Sequence, residues 1–230
     1  MSTTLDAPHA PVSRSVLADA GGAEDLGFVF RPTPLWKRAM DVCVSCLLLL
    51  LLAPLFCGVC LLIRSVSRGP IFFVQSRVGA HGRRFRMWKF RTMTVETDQN
   101  EHALYVASLT DSGTPLKKLD VRARLIPCGG LLRATAIDEL PQLFNVLCGE
   151  MSLIGPRPDV LELEDYRPWQ RRRFAVLPGI SGLWQVSGKN ELTFEEMLQL
   201  DVQYVELRSF RLDLSILLRT IPVVLRLNTG

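Results

Sequence analysis

Two carboxylates stand side by side in the stretch RATAIDELPQLFNVL, residues 133–147: Asp138 and Glu139, with Pro141 close behind them. Proline is accommodated in a helix near its start, where its missing N–H has no partner to lose, so Pro141 places a first helical turn at residues 137–141. An acid at that end is stabilised by about 0.3–1 kcal/mol through the macrodipole and free N–H groups. The letters TAID also match a capping box. Capping therefore accounts for one acid. The second leaves a repulsion that a cation, a proton or solvent has to relieve.

The following segment, GEMSLIGPRPDV, offers a cation. In Gly155-Pro156-Arg157-Pro158 each proline fixes its own φ and biases the preceding residue toward extended geometry, so the Arg157 backbone is stiff. A rigid loop presenting a guanidinium suits bidentate capture of phosphate. A polyproline turn with a surface arginine fits the same letters. Arg133 and the KFR of residues 89–91, carrying Lys89 and Arg91, add positive charge. For Lys89 and Arg91 the competing reading is a solvated or headgroup-contacting face. Taken together, the acids and cations suggest chemistry on a phosphate substrate held at a bilayer surface.

The elements that position these residues follow from composition and periodicity. The 230 residues, 48% apolar and 22% charged, make one ordinary domain plus extras. Net charge is only +4, yet eight basic residues from Arg64 to Arg91 have no acidic residue among them, which implies an anionic partner. Residues 1–34 are rich in Ala, Pro, Ser, Thr and Gly and read as a mostly disordered leader without signal-peptide features. Val42 to Ile63 is uncharged, and its length fits the ~20 residues of a membrane span. Ala53-Pro54 near its middle predicts a kink, and basic residues lie on both flanks. Two arrangements satisfy this: a helix that enters, bends and leaves on the same face, and a kinked single span. Cys43, Cys46, Cys57 and Cys60 have the pair spacing of a zinc site. They lie in this apolar run without knuckle chemistry, and so read as small apolar residues.

Farther along, PIFFVQSRVG and RRFRMWKFRTM flank GAHG and predict a hairpin with basic residues on one face. Residues 94–120 read as a polar loop with one short helix. Thr193 and Glu196 form a capping box before an amphipathic helix carrying Phe194, Met197, Leu198, Val202 and Val205. The last segment, FRLDLSILLRTIPVVLRL, suits either the membrane interface or a core helix.

From Lys37 to Leu227 the succession KRAMDV, GPIFFVQSRVG, KFRTM, LLRATAIDELPQLFNVLCGEMSLIGPRP, LPGISGLWQVSGKN, LQLDVQYVE and LDLSILLRTIPVVL resembles the bacterial sugar transferases. These are the small monotopic polyprenyl-phosphate phosphoglycosyl transferases that initiate exopolysaccharide, capsule or O-antigen synthesis. The resemblance implies transfer of sugar-1-phosphate from a UDP-sugar to undecaprenyl phosphate, giving a lipid-linked diphosphosugar and UMP. It implies Asp138 as nucleophile and Mg2+ ligand, with a covalent phosphosugar intermediate. Glu139 is expected to orient the site or to act as its acid/base partner. Arg157, Arg133, Lys89 and Arg91 are expected on phosphate, and Lys189 and Asn190 on the nucleotide sugar. The family's kinked helix is re-entrant, which selects the first arrangement and puts both ends at the cytoplasmic face of the bacterial inner membrane. Ala53 stands where the family usually has Ser before the kink proline, Ala136 where it has Ser, and Pro127, Gly130 and Ala134 where basic residues are usual.

The expected architecture is α+β and mainly helical, in three parts. A leader spans 1–34, a re-entrant membrane helix 35–66, and a cytoplasmic catalytic domain with a small basic hairpin and interfacial C-terminal helices 67–230. Membrane lipid is an expected partner, a homodimer is left open, and nucleic acid is not expected. The competing class is a membrane-anchored scaffold whose acids only cap a helix. A metal-dependent phosphohydrolase is a further alternative, separated by whether the sugar phosphate ends on lipid or in water.

Overall fold

The computed structural model describes residues 28–94, 122–188 and 191–225. Two helices open it, α1 (Leu35–Leu51) and α2 (Ala53–Val66), followed by strands β1 (Phe72–Val78) and β2 (Arg84–Phe90). A short helix α3 (Gly129–Ala134), helix α4 (Gln142–Cys148) and strand β3 (Ser152–Ile154) come next. Strand β4 (Gly179–Ser181) precedes α5 (Phe194–Leu207) and α6 (Phe210–Leu225). The architecture is mainly helical α+β with two separate two-stranded sheets.

The break between α1 and α2 falls at Leu52, and Pro54 occupies the first turn of α2. There its missing N–H costs least, so the chain bends by 62°. Among the described residues no single helix is long and apolar enough to cross a membrane. The bent pair passes that test only when its two limbs are taken together. Leu47, Leu50, Leu51, Leu55 and Leu61 are exposed on it.

The first turns of α1 are polar and buried, and they fasten this pair to the rest of the protein. Lys37 donates to the Ile154 carbonyl at 2.9 Å and pairs with Asp213 of α6 at 2.6 Å. The Tyr204 hydroxyl lies 2.9 Å from the other Asp213 oxygen. Asp41 accepts from the Ser152 hydroxyl and the Leu153 N–H, both at 3.0 Å. Arg38 donates to the Val146 and Leu147 carbonyls at 2.6 and 2.7 Å, adding a side-chain partner at the last turn of α4, where the Gly149 N–H also reaches Val146.

Strands β1 and β2 pair antiparallel from Phe72 with Phe90 to Val78 with Arg84, through a turn at Ala80–Gly82. The expected single basic face is not what forms. Side chains alternate along a strand, so Arg84 and Arg86 fall on one face and are exposed, while Arg77 and Lys89 fall on the other. Phe90, Val59, Ile63, Ile126 and Leu132 form an apolar cluster where α2 meets the hairpin and α3. The larger core gathers Val146, Met151, Ile154, Leu198, Tyr204 and Ile216.

The Thr193 capping box is present at the start of α5. Helix α6 combines the two readings of its sequence: Asp213 and Ile216 are buried, while Phe210, Leu214, Leu218 and Ile221 form an exposed apolar stripe. Residues 28–34, on the leader side of the expected boundary, run over the body, with Phe28 buried and Arg31 N–H on the Ala175 carbonyl at 2.8 Å. Residues 1–27, and the expected loop beyond Thr94, lie outside the described residues.

Removing one partner of a fully buried ion pair strands the other charge. Lys37→Ala is therefore expected to cost about 3–5 kcal/mol, read as a lowered thermal unfolding midpoint in detergent; an unchanged midpoint would refute the anchoring role.

Candidate active site

The acid pair lies in a single 3-10 turn, Ile137–Glu139, between α3 and α4. Ala136 before it has φ 56°, the left-handed region that costs a side-chain-bearing residue about 1–2 kcal/mol. That reversal puts Ile137 and Leu140 against the apolar cluster under α2 and the hairpin. The expected TAID capping box does not form. The Thr135 hydroxyl instead donates back to the Leu131 carbonyl at 2.8 Å, because α3 continues to that point and its own last carbonyls compete for the hydroxyl.

Cations, rather than helix N–H groups, hold Glu139. Its Oε1 is 3.1 Å from Lys89 Nζ and 2.6 Å from Arg157 Nη2, and Arg157 Nη1 reaches Oε2 at 3.4 Å. Lys89 arrives from the inner face of β2 and Arg157 from the loop after β3. Burial alone would raise the Glu139 pKa, but Arg157 and Lys89 outweigh it and hold the group well below the usual carboxylate range. Asp138 makes no hydrogen bond or ion pair among the described residues. Burial pushes it up to about 6; Lys89 opposes the rise and Glu139 adds to it. The two neighbouring acids are thus separated into a paired anion and an unpaired, proton-accepting one.

The model of one protein family, described as "Bacterial sugar transferase", matches residues 33–227. The chain belongs to the bacterial sugar transferase family. It is 42% identical over 200 residues to galactosyl transferase CpsE of Streptococcus agalactiae, an alignment covering 84% of this chain and 43% of that protein. It is 37% identical over 191 residues to exopolysaccharide production protein ExoY of Sinorhizobium fredii, covering 82% of this chain and 84% of the relative. A third relative is the UDP-glucose:undecaprenyl-phosphate glucose-1-phosphate transferase of Klebsiella pneumoniae, 36% identical over 195 residues. There the chain is covered to 81% and the relative to 39%. The chain thus spans less than half the length of the first and third of these relatives.

In this sugar transferase the remaining candidates fall into three groups. Arg133, in the last turn of α3, acts on Asp138 through its charge and touches the Met93 sulfur at 3.5 Å. Arg91 is not at the site: it is buried, its Nε on the Pro70 carbonyl at 2.6 Å and its Nη2 3.3 Å from the Ser67 carbonyl. It lies just past the end of β2 and ties the exit of α2 to that end. Lys189 and Asn190 lie outside the described residues, and Ala53 and Pro54 mark the bend.

Behind Arg157 lies a polar hub that the sequence did not reveal. Arg173 donates to the Arg157 carbonyl at 2.6 Å, pairs with Asp201 at 2.7 Å and reaches Asp159 at 3.3 Å. Asp159 also accepts from the Tyr166 hydroxyl at 2.8 Å. Arg173 sits in a run of three arginines that resembles a solvated patch. The available signal was Asp201, which the spacing of Met197 and Val205 places on the buried face of α5. Backbone contact sets the loop from the other side. A Cβ on Gly155 would lie 2.5 Å from the Leu177 carbonyl, and one on Gly179 would lie 2.1 Å from the Gly155 nitrogen, so β3 and β4 approach only because both are glycine.

Carboxyl titration of Asp138 by carbon-13 NMR is expected to show a midpoint near 6. Lys89→Met removes an opposing positive charge and should move that midpoint up, whereas Glu139→Gln should move it down; a midpoint near 4 in all three proteins would refute the assignment.

Proposed function

We propose that this protein transfers sugar-1-phosphate from a UDP-sugar to undecaprenyl phosphate, releasing UMP, as the first membrane step of surface polysaccharide synthesis. The reading rests on family membership, on the lipid-carrier reaction named for the Klebsiella relative, and above all on one observation. Asp138, a carboxylate without a hydrogen-bond or ion-pair partner among the described residues, is set beside the convergent cations Lys89 and Arg157.

The chemistry follows in two displacements. An Asp138 oxygen attacks the sugar-bearing phosphorus of the donor, and the bond from that phosphorus to the bridging oxygen breaks. UMP leaves with the electron pair. A phosphate oxygen of undecaprenyl phosphate then attacks the same phosphorus, breaking the aspartyl–phosphorus bond and returning the carboxylate. Lys89 and Arg157 stabilise the charge that builds on the phosphoryl oxygens, Arg157 by its planar fork and Lys89 as a point charge. Glu139, held ionised, keeps both cations converged; its low pKa suits it to that work and not to proton donation.

Magnesium fits this donor set in a limited way. Mg2+ takes one or two carboxylates and completes its shell with waters and substrate phosphates. Among the described residues there is no group of three ligating side chains, so Asp138 and the donor diphosphate are the expected ligands. When bound, Mg2+ supplies charge neutralisation at the diphosphate. The bent pair α1 and α2 would dip into the bilayer from the cytoplasmic face and return, leaving the site at the headgroup level.

Asp138→Asn keeps the size of the side chain and leaves the Glu139 pairs in place. With purified protein, Mg2+, undecaprenyl phosphate and a panel of UDP-sugars it should lower UMP release by at least about 10^3-fold. The sugar-phosphate adduct seen by intact-protein mass spectrometry should vanish with it. Undiminished turnover would favour a scaffold whose acids only cap a turn, and product sugar phosphate in water would favour a phosphohydrolase.

A further inference from the structure

Four cations are buried among the described residues: Lys37, Arg77, Arg91 and Arg173. Lys37 and Arg173 pair with carboxylates, and Arg91 with two backbone carbonyls just past α2. Arg77 has neither. Its Nε and Nη2 both donate to one neutral atom, Gln75 Oε1, at 3.1 and 2.7 Å. Asp159, the strongest opposite charge acting on it, is already taken by Arg173 and by the Tyr166 hydroxyl, at 3.3 and 2.8 Å. Burial draws the Arg77 pKa down to about 10 against the pull of Asp159, so the group is still a cation at neutral pH. A buried charge without a counterion is destabilising until a partner arrives from outside. The way in is open, because Arg77 Nη1 makes no hydrogen bond among the described residues and yet is not sealed from solvent.

Strand register brings this cation to the site. Gln75 and Arg77 stand opposite Met87 and Phe85, and so share the hairpin face of Lys89, which stands opposite Phe73. The Arg157 loop is stitched to the end of β1 by the Val78 N–H on the Asp159 carbonyl at 2.9 Å. Arg77 acts on Lys89, and both feel Arg157 and Glu139; Asp138 adds its charge at Lys89, and Asp159 at Arg77. The cations therefore run in a row from Asp138 past Lys89 and Arg157 to Arg77. In each of two displacements at one phosphorus, the entering and leaving oxygens stand roughly in line. An Asp138 oxygen is one of them both times. The phosphate that leaves with UMP and the phosphate of the lipid acceptor then occupy one place in turn, on the side away from Asp138. We propose that Gln75 and Arg77 form that shared phosphate subsite, Arg77 binding each phosphate and Gln75 positioning its guanidinium. This rests on the transferase reading above.

Titration calorimetry with UMP tests this on the full chain with Mg2+ in nanodiscs of phosphatidylglycerol and phosphatidylethanolamine. Undecaprenyl phosphate should displace UMP, and undecaprenol, which lacks the phosphate, should not. Arg77→Gln should weaken UMP binding and raise the KM for undecaprenyl phosphate, each by about tenfold. Arg84→Gln, on the exposed face of the same hairpin, should change neither. Gln75→Glu keeps the size of the side chain and gives Arg77 a carboxylate. It should hold or raise the thermal unfolding midpoint while weakening UMP binding by about tenfold. An unmoved UMP affinity in Gln75→Glu would leave Arg77 a structural role only and overturn the proposal. Weaker UMP binding in Arg77→Gln with an unchanged acceptor KM would also overturn it, since the subsite would serve the nucleotide alone. Exchange of UMP for undecaprenyl phosphate that depends on Arg77, without UMP release from any donor, would sink the transferase reading and keep the subsite. Turnover indifferent to both variants would sink the subsite and keep the transferase.

Discussion

One carboxylate, Glu139, ties together three separate pieces of chain: the hairpin through Lys89, the loop after β3 through Arg157, and the turn that bears Asp138. Each cation would be poorly placed without it, since Lys89 and Arg157 would repel one another in a partly desolvated space. The four charges then depend on a single proton. With Asp138 protonated the cluster carries one net positive charge, and with Asp138 ionised it is neutral. Buried ion pairs contribute little net stability against desolvation, so this cluster is better understood as fixing geometry than as strengthening the fold.

The support for that geometry is layered. Arg157 keeps its side chain for the site because its backbone is held elsewhere, by Arg173 from one side and by the Gly155–Gly179 contact from the other. Lys89 is held by strand pairing to Phe73 and by the Phe90 side chain buried next to it. A pair built this way would lose little side-chain freedom on meeting the phosphate proposed for it.

What the sequence disclosed and what it withheld divide along chain distance. The acid pair, the bend at Pro54, the hairpin and the Thr193 cap depend on neighbours within a few residues, and all four are legible from spacing. The Thr135 cap was misread because two local acceptors compete for one hydroxyl, a contest decided by where α3 ends. Arg91 was misread for a different reason: it lies just past the end of β2, where the Ser67 and Pro70 carbonyls at the exit of α2 claim its guanidinium. Arg38 and Arg173 find partners 108 and 16 residues away, and Lys37 finds Asp213 176 residues away. No periodicity reports such pairings, although charged letters at helix positions that ought to be apolar, Asp41, Asp201 and Asp213, were a sign that buried partners had to exist.

The bend between α1 and α2 carries a further consequence for the host bilayer. For both limbs to leave by the same face with a 62° change of direction, they must lie at about 31° to the membrane plane on average. With the limbs equally inclined, helices of 17 and 14 residues at 1.5 Å per residue reach about 13 and 11 Å, and the first turns of α1 are already spent inside the protein. A hydrocarbon core is about 30 Å thick, so the apex stops short of the midplane. In the re-entrant arrangement proposed above the pair would be a wedge in one leaflet: it would add lateral area to that leaflet alone, and its insertion would respond to monolayer packing and curvature rather than to bilayer thickness.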